Sequence, residues 1–259
     1  GRTTGMIARI ALGAGLSILA VPSLGAECTA RSGAERAALV ELYTSEGCSS
    51  CPPADRWFSR LDLAGPDARL VPLAFHVEYW DYIGWKDRFA DPAWSARQRE
   101  AVTRAGGRTV YTPQVMRNGR DFPRWHAAGS LAKAGAGDDP ARATIALRLA
   151  PAPSGLAVVA DVQPSGNSLR DGELFLALSE NRLASTVRAG ENRGKALAHD
   201  HVVRALVSLG PVGSPRTSFR HTFALGADWK PADLAVSAFV QDARTGEVLQ
   251  ALRLANCAG

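Results

Sequence analysis

Two cysteines, Cys48 and Cys51, stand two residues apart in the stretch "ELYTSEGCSSCPPADRWFSRL", Glu41 to Leu61. Cysteines at this spacing exchange a disulfide with a partner, give soft sulfur ligands to a metal, or close a static staple. Here they follow a strand-like apolar run and open a run of helical spacing. The unpaired N–H groups and partial positive charge of a helix start favour a thiolate over a thiol. Cys48 is then the nucleophile, expected to titrate below the free-thiol value of about 8.5. Cys51, one turn inside the helix, is expected to resolve the mixed disulfide and to be the less exposed. Gly47 lets the chain turn, and Pro52 and Pro53 fit a first turn, where a missing N–H costs little. Glu46 either opposes the thiolate by like-charge repulsion or stands as a solvated carboxylate near the helix start.

Further along, "VYTPQV" carries a Thr112-Pro113 turn before a strand. A cis bond there, facing Cys48, would bring the Thr112 backbone to the sulfurs, where it could pair with an extended peptide. Glu46 and His76 are candidates for proton transfer near the cysteines, with Glu78 and Asp81 close by in "EYWDYIGWKD". Trp80, Tyr82 and Trp85 could line a peptide cleft or pack between domains. His199 and His201, two apart in an expected strand, would share a face and could hold a transition metal. No third and fourth ligands accompany them, and of the two methionines Met6 falls in the expected N-terminal export signal, which weakens a copper site. Cys28 and Cys257 match no zinc-finger spacing. No metal or other cofactor is expected on these grounds, and a copper-binding protein using Cys48 and Cys51 is the alternative of another class.

The remaining cysteines read as a staple. Cys28 and Cys257 lie at opposite ends of the mature chain, and chain termini are often close together. Of the three connectivities open to four cysteines, Cys28–Cys257 with Cys48–Cys51 is expected. The setting is oxidising if the chain is exported. Residues 1–26 carry Arg2 and Arg9 and no acid ahead of "IALGAGLSILAVPSLGA", the layout of a cleaved export signal. The run is short and broken by Gly13, Gly15 and Pro22, a poor spanning helix. The expected location is periplasmic or secreted, with no stable membrane anchor after cleavage.

The 259 residues are 46% apolar and 21% charged, ample for a packed core. The formal charge of +5 falls to +3 without the signal, and the arginines are scattered among acids, which argues against nucleic acid as a partner. The first half alternates. Arg36–Gly47 reads as a strand, Cys48–Ala64 as a helix, Ala68–Trp80 as a strand, Asp91–Gly107 as a helix capped by Asp91. An Asn118-Gly119 hairpin and a short helix over His126–Gly137 follow. Past Asp138-Asp139-Pro140 only strands are expected: 144–150, 156–163, 172–179, 186–188, 198–208, 218–225, 234–241 and 248–254. "GENRGKALAHD", Gly190–Asp200, reads as a long polar loop, the kind that tends to be functional.

The order strand, CxxC, helix, strand, helix, Thr-Pro, hairpin, helix resembles the thioredoxin superfamily. More closely, "VELYTSEGCSSCPPAD", "LAFHVEYWDYIGWKDRFADP", "RQ", "VYTPQV" with "NG", and "GENRGKALAHDHVVR" resemble the DUF1223 family of secreted thioredoxin-like proteins. The resemblance spans Val40 to Arg204. It implies an α/β thioredoxin-like domain (27–138) followed by an all-β sandwich domain (139–259). It carries an activity only weakly. Ser49-Ser50 replaces the Gly-Pro of thioredoxin and no Trp precedes Cys48, so the direction of the redox reaction is open. The expectation is an exported thiol–disulfide oxidoreductase acting on cysteine-containing exported proteins or a redox partner. The alternative is a non-catalytic binding protein braced by the disulfide.

Overall fold

The computed structural model describes residues 1, 27–65, 68–127, 139–166 and 169–257. The expected export signal, apart from Gly1, and all of the expected 126–137 helix beyond Ala127 lie outside the described residues. The elements are β1 (Cys28–Arg31), β2 (Ala38–Thr44), α1 (Pro52–Phe58), β3 (Leu70–His76), a 3-10 helix (Glu78–Ile83), α2 (Pro92–Arg104), β4 (Gln114–Arg117) and β5 (Arg120–Asp121). Then come β6 (Ala143–Ala152), β7 (Gly155–Pro164), β8 (Gly172–Glu180), β9 (Leu183–Thr186), β10 (Ala196–His199), β11 (Val202–Pro211), β12 (Thr217–Phe223), a 3-10 turn (Pro231–Asp233), β13 (Leu234–Asp242) and β14 (Val248–Ala255).

Local chemistry explains most of these. Every residue of β2 and β3 is buried, as expected of strands covered on both faces. The Asp91 side chain accepts from Ala93 N and caps α2. Asn118 (φ 49°) and Gly119 (φ 82°) join β4 to β5, the left-handed pair of a tight hairpin. β6 and β7 alternate buried with partly exposed residues, so one face meets the core and the other water.

The expected α/β thioredoxin-like domain followed by a sandwich is not what forms. Strands make up 45% of the described residues and helices 13%, in three multi-stranded sheets. One sheet of eight strands, in the order β14-β13-β8-β11-β3-β2-β4-β5, runs through both halves of the chain. β2 and β3 are parallel, and β4 lies antiparallel on the outer edge of β2. The other edge of β3 is taken by the start of β11, where Ala74 N donates to His201 O and Val202 pairs with Ala74. An open edge is a row of unpaired N–H and C=O groups, and β11 satisfies part of it. Through that join β8, β13 and β14 continue the sheet.

Three apolar clusters hold this together. β6 and β7 from the four-stranded sheet β1-β6-β7-β12 pack Leu147, Leu149, Val158 and Val162 on Leu176, Leu178, Val236 and Ala238. On the opposite face of β8 and β13, Ala177 and Phe239 join Leu39, Tyr43, Phe75 and Trp94 of α2. α1 covers the other side of β2 with Ala54 and Phe58 against Val40, Leu42 and Ala74. β14 returns to the start of β2: Gln250 accepts from Ala37 N and donates to the carbonyls of Gly33 and Glu35. Cys28 and Cys257 are disulfide-bonded with Cα atoms 5.7 Å apart, as expected, tying β1 to the end of β14. Among the described residues no helix is long and apolar enough to cross a membrane.

Candidate functional site

Cys48 and Cys51 form the second disulfide, with Cα atoms 5.4 Å apart. β2 delivers the chain to Ser45, Glu46 and Gly47, and Cys48 N donates back to Ser45 O. Cys51 is the N-cap of α1, its carbonyl accepting from Ala54 N and Asp55 N. Gly47 is needed for close approach rather than for an unusual turn: a Cβ there would lie 3.0 Å from Trp80 Cβ and 3.3 Å from Trp80 O.

Both cysteines are fully buried, whereas Cys48 was expected to be the more open. Only Ser49 and Ser50 between them reach solvent. The cover comes from two places. Trp80 of the 3-10 helix presses on Gly47 and donates its indole N–H to Thr112 Oγ1 at 2.7 Å. Thr112–Pro113 is cis, and the Thr112 carbonyl accepts from Ser50 Oγ at 3.5 Å. The second cover is the loop between β9 and β10. Asn192, itself fully buried, donates from Nδ2 to Glu46 O at 2.8 Å and to Cys48 O at 2.9 Å. Beside it Glu191 Oε2 accepts from Ser49 N at 3.0 Å. Gly190 and Gly194, both at positive φ, bound these residues. The polar loop without an assigned chemistry in the sequence is therefore the cap of the disulfide.

Behind the disulfide lies a buried acid–base cluster of Glu46, Asp55, His76, Asp87 and His199. His76 Nδ1 meets Asp87 Oδ2 at 2.6 Å, and Glu46 N donates to the same carboxylate oxygen. Glu46 is not a solvated carboxylate. Its Oε2 accepts from Trp85 Nε1 at 2.7 Å and its Oε1 meets His199 Nε2 at 3.2 Å. The His76 and His199 rings pack edge to face, 4.8 Å apart. Asp55, on α1, accepts from Thr44 Oγ1 at 2.7 Å, and its Oδ2 lies 3.9 Å from His199 Nδ1.

Burial raises the Asp55 carboxyl, more than the neighbouring histidines lower it. Burial pushes the same way on Glu46 and Asp87, but hydrogen bonds from His199 hold Glu46 below its ordinary value and the His76 charge does so for Asp87. Burial would lower His76, and the Asp87 charge more than reverses it. Glu46 and Asp87 are thus held as carboxylates and His76 is shifted toward its protonated form, while Asp55 is the one carboxyl of the cluster shifted toward holding a proton.

His199 and His201 do not share a strand face. His199 ends β10, and His201, at φ 59°, turns the chain into β11 and packs its ring edge-on to Phe58. Tyr82 is exposed, while Trp80 and Trp85 are drawn into the cap. Glu78 hydrogen-bonds Ser95 on α2, and Asp81 accepts from Asp87 N. Among the described residues no three His, Cys, Asp or Glu side chains are grouped to hold a metal. Sequence reasoning missed Asn192, Asp55 and Asp87. Asp55 had a local signal, since it lies one turn of helix beyond Cys51, and Asn192 lies in the polar loop already singled out, whereas Asp87 had none.

Residues 39–241 match the model of a family described as "Protein of unknown function (DUF1223)". No curated protein matches the chain. Two solved structures share the fold. One is the crystal structure of a protein from Agrobacterium tumefaciens, 24% identical, with a TM-score of 0.66 over 86% of this chain and 96% of that one. The other is HBP35 of Porphyromonas gingivalis, 15% identical, with a TM-score of 0.66 over 85% of this chain and 75% of that one.

Proposed function

The chain belongs to the DUF1223 family, whose description assigns no activity, and from the site we propose that it is an exported thiol–disulfide oxidoreductase working through Cys48 and Cys51. The observation that carries the reading is the buried cluster fixed to the same segment as the disulfide. Glu46 stands two residues before Cys48 and Asp55 four after Cys51, and both converge on His199. Burying five ionisable groups is costly, and a mere brace has no use for them.

In one direction a partner thiolate attacks Cys48 Sγ, the Cys48–Cys51 bond breaks, and its electron pair leaves on Cys51, which takes a proton. A second partner thiolate attacks the partner sulfur of the mixed disulfide, that bond breaks, and its electron pair leaves on Cys48, which takes a second proton. The partner departs as a disulfide and the pair remains as two thiols; the reverse sequence reduces a partner disulfide. Asp55 is the nearest group along α1 suited to hold the proton that Cys51 gains or loses. The Thr112 carbonyl, already touching Ser50, is placed to receive a partner N–H. Partners are cysteine-containing exported proteins, which must displace the Asn192 loop to reach the sulfurs.

The full burial of both cysteines favours a second reading, a static brace in a binding protein. Cys51→Ala separates the two. An oxidoreductase so altered captures partner proteins from an extract of its own compartment as adducts that dithiothreitol releases, and Cys48→Ala captures none. If Cys51→Ala captures nothing and the unaltered protein turns over no disulfide substrate, the brace reading stands instead.

A further inference from the structure

At the other end of the parallel strands lies a cavity of about 500 Å³. Its lining includes Ala37, Leu70 and Val71, at the starts of β2 and β3, whereas the cysteines follow the end of β2. Seven residues of strand put the two sites about 20 Å apart. The cavity lies where β14 curls back against the start of β2, and the chain between β1 and β2 borders its mouth.

The lining has two characters. Leu63, Leu70 and Val71 make an apolar wall. Against it stand Arg31, Arg69 and Arg253, with Glu35 as the single acid of the lining among the described residues. Glu35 is taken by Arg69 in an ion pair. Among the described residues Arg31 and Arg253 have no hydrogen-bond or ion-pair partner, and Arg253 Nε is buried without one. Directly across from Arg253 on β13, and on the same face, Ser237 is fully buried with its hydroxyl unpartnered. A half-buried guanidinium with no counter-ion is unfavourable, because the lost hydration is not repaid. Its fork matches a carboxylate bidentately. Sites of this size that pair an apolar wall with a few polar groups are typical of small-molecule binding.

We propose that this cavity binds an amphiphilic organic acid, with the carboxylate on Arg253 and Arg31 and a short hydrocarbon chain along Leu63, Leu70 and Val71. The proposal is independent of the cysteine chemistry. Three observations set the ligand class. Among the described residues the unpaired charge is cationic, from the half-buried Arg253 and the exposed Arg31. The wall is aliphatic, which disfavours a sugar or nucleotide. The volume suits a chain of several carbons rather than a bare inorganic anion.

Calorimetric titration of the oxidised full chain with octanoate tests it, with 1-octanol and inorganic phosphate as controls. Octanoate is expected to bind one to one, at least tenfold more tightly than either control. Arg253→Met keeps the aliphatic stem and is expected to weaken octanoate at least tenfold while leaving 1-octanol unchanged. Arg253→Lys and Arg31→Met, which disturb packing less, are expected to weaken it by smaller factors. Equal binding of octanoate and 1-octanol, tighter binding of phosphate, or unchanged octanoate affinity in both Arg253→Lys and Arg31→Met overturns the proposal. Cys48→Ala is expected to leave the octanoate affinity unchanged, so the two functions fail separately.

Discussion

Asn192→Ala should unlock the buried disulfide. The Asn192 amide group satisfies two buried carbonyls, those of Glu46 and Cys48, at 2.8 and 2.9 Å. Removing it strands both acceptors, at a cost of about 1–1.5 kcal/mol each once some water refills the space. The closed loop is then destabilised by roughly 2–3 kcal/mol against the open one. When reduction is slow relative to reclosing, its rate follows the open population. At about 1.4 kcal/mol per factor of ten, the Cys48–Cys51 bond should be reduced by dithiothreitol roughly 30- to 150-fold faster. Acid-quenched samples, alkylated and read by peptide mass spectrometry, follow the two disulfides separately. Cys28–Cys257, joining β1 to the chain end, serves as the internal reference and should keep its rate. Glu191→Ala is the matched control. Its contact with Ser49 N is at the surface, where water replaces it, so the rate should change less than about threefold. If Asn192→Ala reduces within threefold of the unaltered protein, the loop does not gate the disulfide. If both disulfides accelerate together, the variant has been loosened globally and the gating argument fails as well.

The outer staple closes a loop of 229 residues, so on the loop-entropy account the Cys28→Ser, Cys257→Ser double variant should lose about 5.5 kcal/mol in denaturant unfolding; a loss under about 1 kcal/mol would show that the unfolded chain is not what the bond constrains. Stability should also depend on pH with opposite signs at two histidines. Burial, aided by the Arg253 charge, lowers His201 from 6.5 to about 4, so its contribution of roughly 3 kcal/mol is present above 6.5 and lost as pH falls toward 4. His201→Asn, which tolerates the left-handed backbone, should flatten that limb. His76 is raised above 6.5 by Asp87, which overcomes the burial penalty, so its contribution is present below 6.5 and lost as pH rises through the folded value. His76→Gln should flatten the alkaline limb instead, and unfolding curves in which either variant flattens the other limb would contradict these assignments.

Much of the local structure was legible in the sequence. The apolar runs of β2 and β3, the Asp91 cap, the Asn118-Gly119 hairpin and the alternation in β6 and β7 each follow from the backbone chemistry of a few adjacent residues. The two disulfides were legible too, because spacing and position left a single economical pairing. Periodicity says which face of a strand is buried, but not which strand lies beside it. The pairing of β11 onto β3, and with it the eight-stranded sheet, was therefore decided only when the chain folded. The same holds at the site. Glu46 and His199 are 153 residues apart, and Cys48 and Asn192 are 144 apart. Nothing local distinguishes these side chains from solvated ones. What joins them is the need of buried charges and carbonyls for partners, and only the packed structure determines which groups are buried together.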